Sequence, residues 1–401
     1  MMWRTSTTFV NARVVSDVSS GEMYDSVRFC RSVISLGTRP TRGDTVVDLD
    51  GSIVLPGLVN AHDHLELNHY GRIKFREIYR NASEWIDDMR PRLTRDRAIA
   101  DARRHPLDDR LFAGLLKNLL SGVTTVAHHN PFYRELRRHS PIRVVRRYGW
   151  AHSFAMEDRP AGARGELGGR IRERCRATPD GAPFLVHLAE GIDELAAREL
   201  PELEAIGCLR PNTVLVHGVA VDRTGWRRVA EQSAGLVWCP ASNLFLFGRT
   251  VDVRQVERVA LASDSRLTGA RDLLDELSVA RRVTTVADRD LVAMVTTRAA
   301  TLVRQPRAGR IGVDGPADFV VFSSRRSGSG TDLIGTTRSD LRLVMVDGQP
   351  LLADPSLASV FDARRSTSCV ARVDGKPKLL DRRLARRIAT CSIAEAGLAL
   401  A

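Results

Sequence analysis

The sequence predicts an α/β protein: a (β/α)8 barrel of the TIM type with a shortened third–fourth unit, plus a small β-sandwich domain built from both chain ends. Three observations predict it. Short apolar strands alternate with helix-like stretches through the middle of the chain. Strand-rich segments flank that region on both sides. Histidines and an aspartate stand directly after several of the central strands.

The first segment, 1–56, is expected to supply the N-terminal part of the sandwich. Thr8–Val15, Ser26–Cys30 and Ser32–Leu36 are rich in β-formers, and Gly37 marks a turn. Asp50-Gly51, between Thr45–Leu49 and Ser52–Leu55, is a strong hairpin signal. Residues 57–305 are expected to form the barrel. Its strands read as Gly122–Ala127, Ile142–Val145, Phe184–His187, Thr213–His217, Gly235–Cys239 and Val259–Asp264. Helix candidates Asp193–Gly207 and Arg271–Thr284 lie between or after them. The interval from His128 to His187 looks short for two complete strand–helix units. Residues 306–354, with strands at Ala317–Phe322 and Leu341–Gly348, are expected to complete the sandwich. Residues 355–401 read as a tail, with a basic helix from Leu379 onward.

Composition excludes several classes. No apolar run approaches the ~20 residues that span a bilayer, and the N-terminus lacks a signal-peptide core. Six scattered cysteines without a CxxC pair suit a reducing compartment, so a cytoplasmic location is expected. The net charge of +12 comes from arginines spread along the chain; only Lys74, Lys117, Lys376 and Lys378 are lysines. With aromatics at 5%, a base-stacking surface is not expected. The expected partner is a small-molecule substrate, with no specific nucleic acid and no membrane; a homo-oligomer is compatible.

Chemistry concentrates at the strand ends. In Pro56-Gly57-Leu58-Val59-Asn60-Ala61-His62-Asp63-His64, the histidines are two apart and share one side of a strand. At the C-terminal end of a barrel strand that side is the mouth, where two imidazoles suit Zn(II) or Fe(II). By itself the pair is equally well read as two surface histidines. His187-Leu188-Ala189-Glu190 follows another apolar strand. Glu190 suits proton transfer to and from metal-activated water, or simply a negative charge before the next helix. His217-Gly218 and Ser263-Asp264-Ser265 end two more strands, although Asp264 also reads as a helix N-cap. With only ten histidines in the chain, this convergence is unlike chance.

In order, these pieces resemble the amidohydrolase superfamily, most closely its cytosine deaminase, guanine deaminase and triazine hydrolase branch. Ser121–Val126, Cys239-Pro240-Ala241-Ser242-Asn243-Leu244 and the Gly309–Val321 stretch complete the match, which spans about residues 8 to 350. The resemblance implies one divalent metal ion, Zn(II) or Fe(II), held by His62, His64, His187 and Asp264. It further implies that His217 hydrogen-bonds the attacking water or the substrate, that Glu190 shuttles a proton to the leaving nitrogen, and that Asp264 also accepts a proton. Two-metal relatives use a carboxylated lysine as a bridge, but no lysine lies between Lys117 and Lys376; Glu157 is the alternative bridge. Candidate substrate contacts are Asn68, His129, Asn243 and Arg266, although a loop histidine bonded to backbone is the plainer reading of His129.

The expected activity is hydrolysis of a non-peptide C–N bond, most simply deamination of an amino-heterocycle or amidine-like carbon. Alternatives on the same scaffold are cyclic-amide opening, loss of another leaving group, or a catalytically idle barrel that binds without reacting.

Overall fold

The computed structural model describes residues 6–138, 140–157, 168–324 and 328–401, without the side chains of 155 and 157. His139 and the Glu157 side chain therefore lie outside the described residues. Five strands come first: β1 (Thr7–Asp17), β2 (Glu22–Tyr24), β3 (Val27–Phe29), β4 (Val33–Leu36) and β5 (Thr45–Pro56). β5 runs unbroken, so the hairpin expected at Asp50-Gly51 does not form. Both residues take left-handed backbone (φ 53° and 67°), but the chain keeps its direction. β5 pairs parallel with β1 on either side, with Val10 opposite Asp48 and Ala12 opposite Ser52. Asn11 (φ 48°) thus faces Leu49, Asp50 and Gly51 in a bulge. Positive φ serves a bulge as well as a turn, which is why the dipeptide misleads.

Eight parallel strands follow. β6 (Leu58–Asp63), β7 (Val123–His128) and β8 (Arg143–Val144) form one sheet. β9 (Gly149–Ala151), β10 (Phe184–Leu188), β11 (Thr213–His217), β12 (Gly235–Trp238) and β13 (Val259–Leu261) form the other. β6, β7, β10, β11, β12 and β13 are buried along their whole length, as parallel strands covered by helices must be. Residues 294–295 bridge β13 to β6: Val59 N donates to Val295 O (2.8 Å) and Leu261 N to Met294 O (2.9 Å). The two central helix expectations hold. Glu194–Ala205 is capped by Asp193, which accepts from Ala196 N, and Leu273–Val283 by Asp272, which accepts from Leu274 N and Asp275 N. The short interval also has its structural counterpart. Only residues 145–148 separate β8 from β9, with no helix between. β9 escapes sequence reading because three residues carry no periodicity.

The chain ends with β14 (Phe319–Phe322), β15 (Leu341–Val346), β16 (Gln349–Ala353), β17 (Ser368–Val373), β18 (Lys376–Asp381) and β19 (Leu398–Leu400). These join the first five in one eleven-stranded sheet, ordered β19-β17-β18-β16-β15-β14-β5-β1-β3-β4 with β2 on β1. The sequence ends meet where β14 pairs antiparallel with β5, Phe319 opposite Pro56. The rings of Phe9, Phe29 and Phe319 pack there, with Phe29 4.8 Å from Phe9 and 5.1 Å from Phe319. The sheet does not stop at 354, where the expected C-terminal part ends. Nor is the tail one helix: Leu379 lies in β18, and the basic helix spans only Arg382–Thr390 before β19. Asp381, accepting from Arg383 N and Leu384 N, sets the helix start. Among the described residues, no helix is long and apolar enough to cross a membrane.

Candidate metal centre

The parallel strands deliver their chemistry to one end. His62 is near the end of β6, His64 follows it, and His187, His217 and Asp264 end or follow β10, β11 and β13. The structure brings these together. His187 Nε2 lies 3.4 Å from both His62 Nε2 and His64 Nε2. Asp264 Oδ1 is 3.6 Å from His62 Nε2 and 3.9 Å from His64 Nε2. Donors about 2.0–2.1 Å from a tetrahedral ion sit about 3.3 Å apart, so these separations suit donors around a divalent ion, and His62, His64 and Asp264 fall in one potential ligand group. His62 and His217 also fall with His187 in one potential ligand group.

Electrostatics agree with the geometry. Burial pushes the His62 imidazole down to about 4 and His187 well below its ordinary value, leaving neutral rings with free lone pairs. Burial opposes the charge on Asp264. The hydrogen bond from His62 and the neighbouring His64 and His217 outweigh it and hold the carboxylate well below its usual range. Asp264 Oδ1 also accepts from Ser265 N (2.7 Å) and Oδ2 from Thr268 Oγ1 (3.1 Å). No helix begins at Asp264, so it is not an N-cap; the next one starts at Leu273.

His217 Nδ1 is 2.9 Å from Asn243 Oδ1, an arrangement that puts the proton on Nδ1 and aims Nε2 at Glu190 Oε1, 3.5 Å away. Burial raises the Glu190 carboxyl, so its proton is held more tightly than in water. Three residues here hold left-handed backbone without being glycine: Ala189 (φ 52°), His217 (φ 73°) and Asp264 (φ 51°). Such strain at strand ends is a mark of functional placement. Around the last, Gly269 is obligatory, because a Cβ would lie 2.1 Å from Ser263 O. Gly269→Ala is expected to displace the 263–269 loop. The readout is a lower thermal midpoint together with weakened metal uptake; an unchanged protein would refute the tight-turn argument.

The four expected substrate residues are placed differently, each engaged by a protein partner. Asn68 Nδ2 donates to Asp63 Oδ1 (2.7 Å). Asn243 orients His217. The Arg266 guanidinium grips both carboxylate oxygens of Glu395 (2.8 and 2.7 Å), so it is not poised for an acidic substrate. Asn68 and Arg266 line a cavity of about 690 Å³ with residues 393–396, and none of the six convergent residues lines it. His129 Nε2 bonds Ala151 O (3.0 Å), the plainer reading given above. Its ring stacks on His187 at 4.2 Å and 4°. His129 thus buttresses His187, and with His152 the two also fall in a second potential ligand group.

Other groups carried no sequence signal. Trp150 and His152, on and after β9, stand beside the cluster, His152 5.1 Å from the indole. Glu199, from the following helix, accepts Ala189 N at 2.6 Å and so holds the turn before Glu190. Burial pushes its carboxyl up to about 8. The folded chain therefore keeps a proton that the unfolded chain releases near 4.5, and this group's contribution to stability falls as pH rises from about 4.5 to about 8. Glu199→Gln is expected to flatten that part of the decline in thermal midpoint measured across this range; an unchanged slope would refute it.

The family model described as the amidohydrolase family matches residues 171–351, which include His187, Glu190, His217 and Asp264. A 5-methylthioadenosine/S-adenosylhomocysteine deaminase of Natronomonas pharaonis is 24% identical, over 91% of this chain and 95% of its own length. An 8-oxoguanine deaminase of Pseudomonas aeruginosa is 27% identical, over 50% of this chain and 56% of its own. The fold is also that of the atrazine chlorohydrolase from Arthrobacter aurescens TC1 complexed with zinc, at 17% identity and TM-score 0.68, covering 89% of this chain and all of that one. The chain is thus similar to members of the amidohydrolase superfamily. Within it, the likenesses fall in the deaminase and triazine hydrolase branch.

Proposed function

We propose that this chain is a metal-dependent aminohydrolase that deaminates an amino-substituted heterocycle, purine-like rings first among them. The observation that carries the reading is the convergence of His62, His64 and His187 Nε2 with Asp264 Oδ1. The deaminase names of the relatives supply the substrate class. We take the eight parallel strands as a closed barrel and the eleven-stranded sheet as a sandwich folded on itself. The scattered cysteines suit the cytoplasm.

His62, His64, His187 and Asp264 would hold one Zn(II) or Fe(II). When bound, such an ion lowers the pKa of water toward neutrality and so makes a nucleophile available. The protein's own groups do the rest. His217, its Nδ1 proton fixed by Asn243, presents Nε2 toward the substrate or the attacking oxygen. Glu190, buried beside it, takes the proton from that oxygen and delivers it to the departing nitrogen. Asp264 is a second acceptor. His217 and Asp264 are buried and Glu190 is only partly exposed, which limits bulk water and strengthens each interaction.

The test is ammonia release from purines, pyrimidines, triazines and guanidino compounds by metal-loaded protein, with product analysis. Ammonia from an amino-heterocycle supports the reading. Turnover that releases a different leaving group or opens a ring points to the alternatives on the same scaffold. Bound metal without turnover of any of them points to the idle barrel.

A further inference from the structure

Beneath the four donors lies a buried ion pair that the proposed reaction does not use. Asp63, between the two histidines, and Lys117, on the helix Leu107–Leu120, are both fully buried, with Nζ 3.2 Å from Oδ2. A lysine in such a place is costly unless every donor is paired. Here they are. Nζ bonds Asp63 Oδ2, Asn68 Oδ1 (2.8 Å) and the main-chain oxygen of Asp264 (2.6 Å). Asp63 in turn accepts from Asn118 (2.7 Å) and Asn68 (2.7 Å). The helix comes this close because Gly114 faces the chain just past the histidines, where a Cβ would lie 2.3 Å from Leu65 O.

A simple staple between helix and β6 would need Asp63 alone. The shortest of the three lysine bonds instead reaches across to the loop after β13, to the carbonyl of a residue held at φ 51°. A second bridge runs alongside, from Asn60 Nδ2 to Ser263 Oγ (2.9 Å). The ends of the two strands that carry His62, His64 and Asp264 are therefore fastened at one point.

We propose that Lys117, with Asp63 as its counter-ion, is the positioning residue that holds Asp264 in the left-handed backbone aiming its carboxylate at the metal. Asp63 stands between the histidines to neutralise a cation that would otherwise repel the ion; it is not itself a ligand. This rests on the metal reading above.

The test uses the full chain, zinc as the probe, competition with a chelator of known affinity, and the thermal midpoint of metal-free protein. Lys117→Met should lower both stability and zinc affinity, since it strands the Asp63 charge. Asp63→Asn with Lys117→Met removes both charges at nearly constant shape. It should recover most of the metal-free midpoint while zinc affinity stays about 10–100-fold below the parent, the usual effect of losing a group that orients a ligand. A folded double variant with parental zinc affinity would overturn the inference while leaving the metal reading intact. A parent chain that takes up no zinc or iron would overturn the metal reading, and the inference with it.

Discussion

His62→Ala and Asp264→Ala are each expected to abolish turnover and to prevent metal uptake. In the proposed four-donor set both residues are direct donors, so the loss should exceed the about 10–100-fold cost typical of an outer-shell partner. In the Asp264 variant the effect is compounded. The Ser265 amide and the Thr268 hydroxyl lose their acceptor, and the negative charge that attracts a divalent ion is gone. Elemental analysis and calorimetric titration with zinc measure the first effect, and ammonia release the second. Metal content of about one ion per chain in either variant would mean that the donor is not a ligand.

Glu190→Gln should separate binding from chemistry. The amide keeps the shape and the neighbourhood of His217 but cannot take up and redeliver a proton. Metal content and substrate affinity are expected to remain near the parent, while kcat falls by about 10²–10⁴, the range of general acid–base assistance. A loss confined to KM would make Glu190 a binding group. Near-normal turnover would leave the proton transfer to Asp264 or His217.

What the sequence made legible has a physical pattern. His62, His64, His187, Glu190, His217 and Asp264 were readable because each stands at or just after an apolar run, and the parallel strands of the two short sheets deliver their ends to one side. The missing helix between β8 and β9 was readable as a short interval between histidines. Contacts between distant segments were not readable. Lys117 looks like an ordinary helical residue until the fold places it under Asp264, and Arg266 looks free until Glu395 meets it from the far end of the chain. Glu199 and Asn243 likewise acquire meaning only from Ala189 and His217. Asp50-Gly51 misled for a local reason, since positive φ is required by a bulge as well as by a hairpin. The tail misled at its two ends: Arg382, Arg383, Arg386 and Arg387 do form a helix, but Leu379 and Leu380 before it belong to β18 and Leu398–Leu400 after it form β19.

The central claim is that four donors from three strand ends hold one ion. X-ray absorption at the metal edge, on protein of known metal content, measures this most directly. One Zn(II) or Fe(II) per chain, with about three imidazole nitrogens and a carboxylate oxygen at about 2.0–2.2 Å, is the expected spectrum. Protein that carries no metal after loading, and whose thermal midpoint does not respond to chelation, would contradict it.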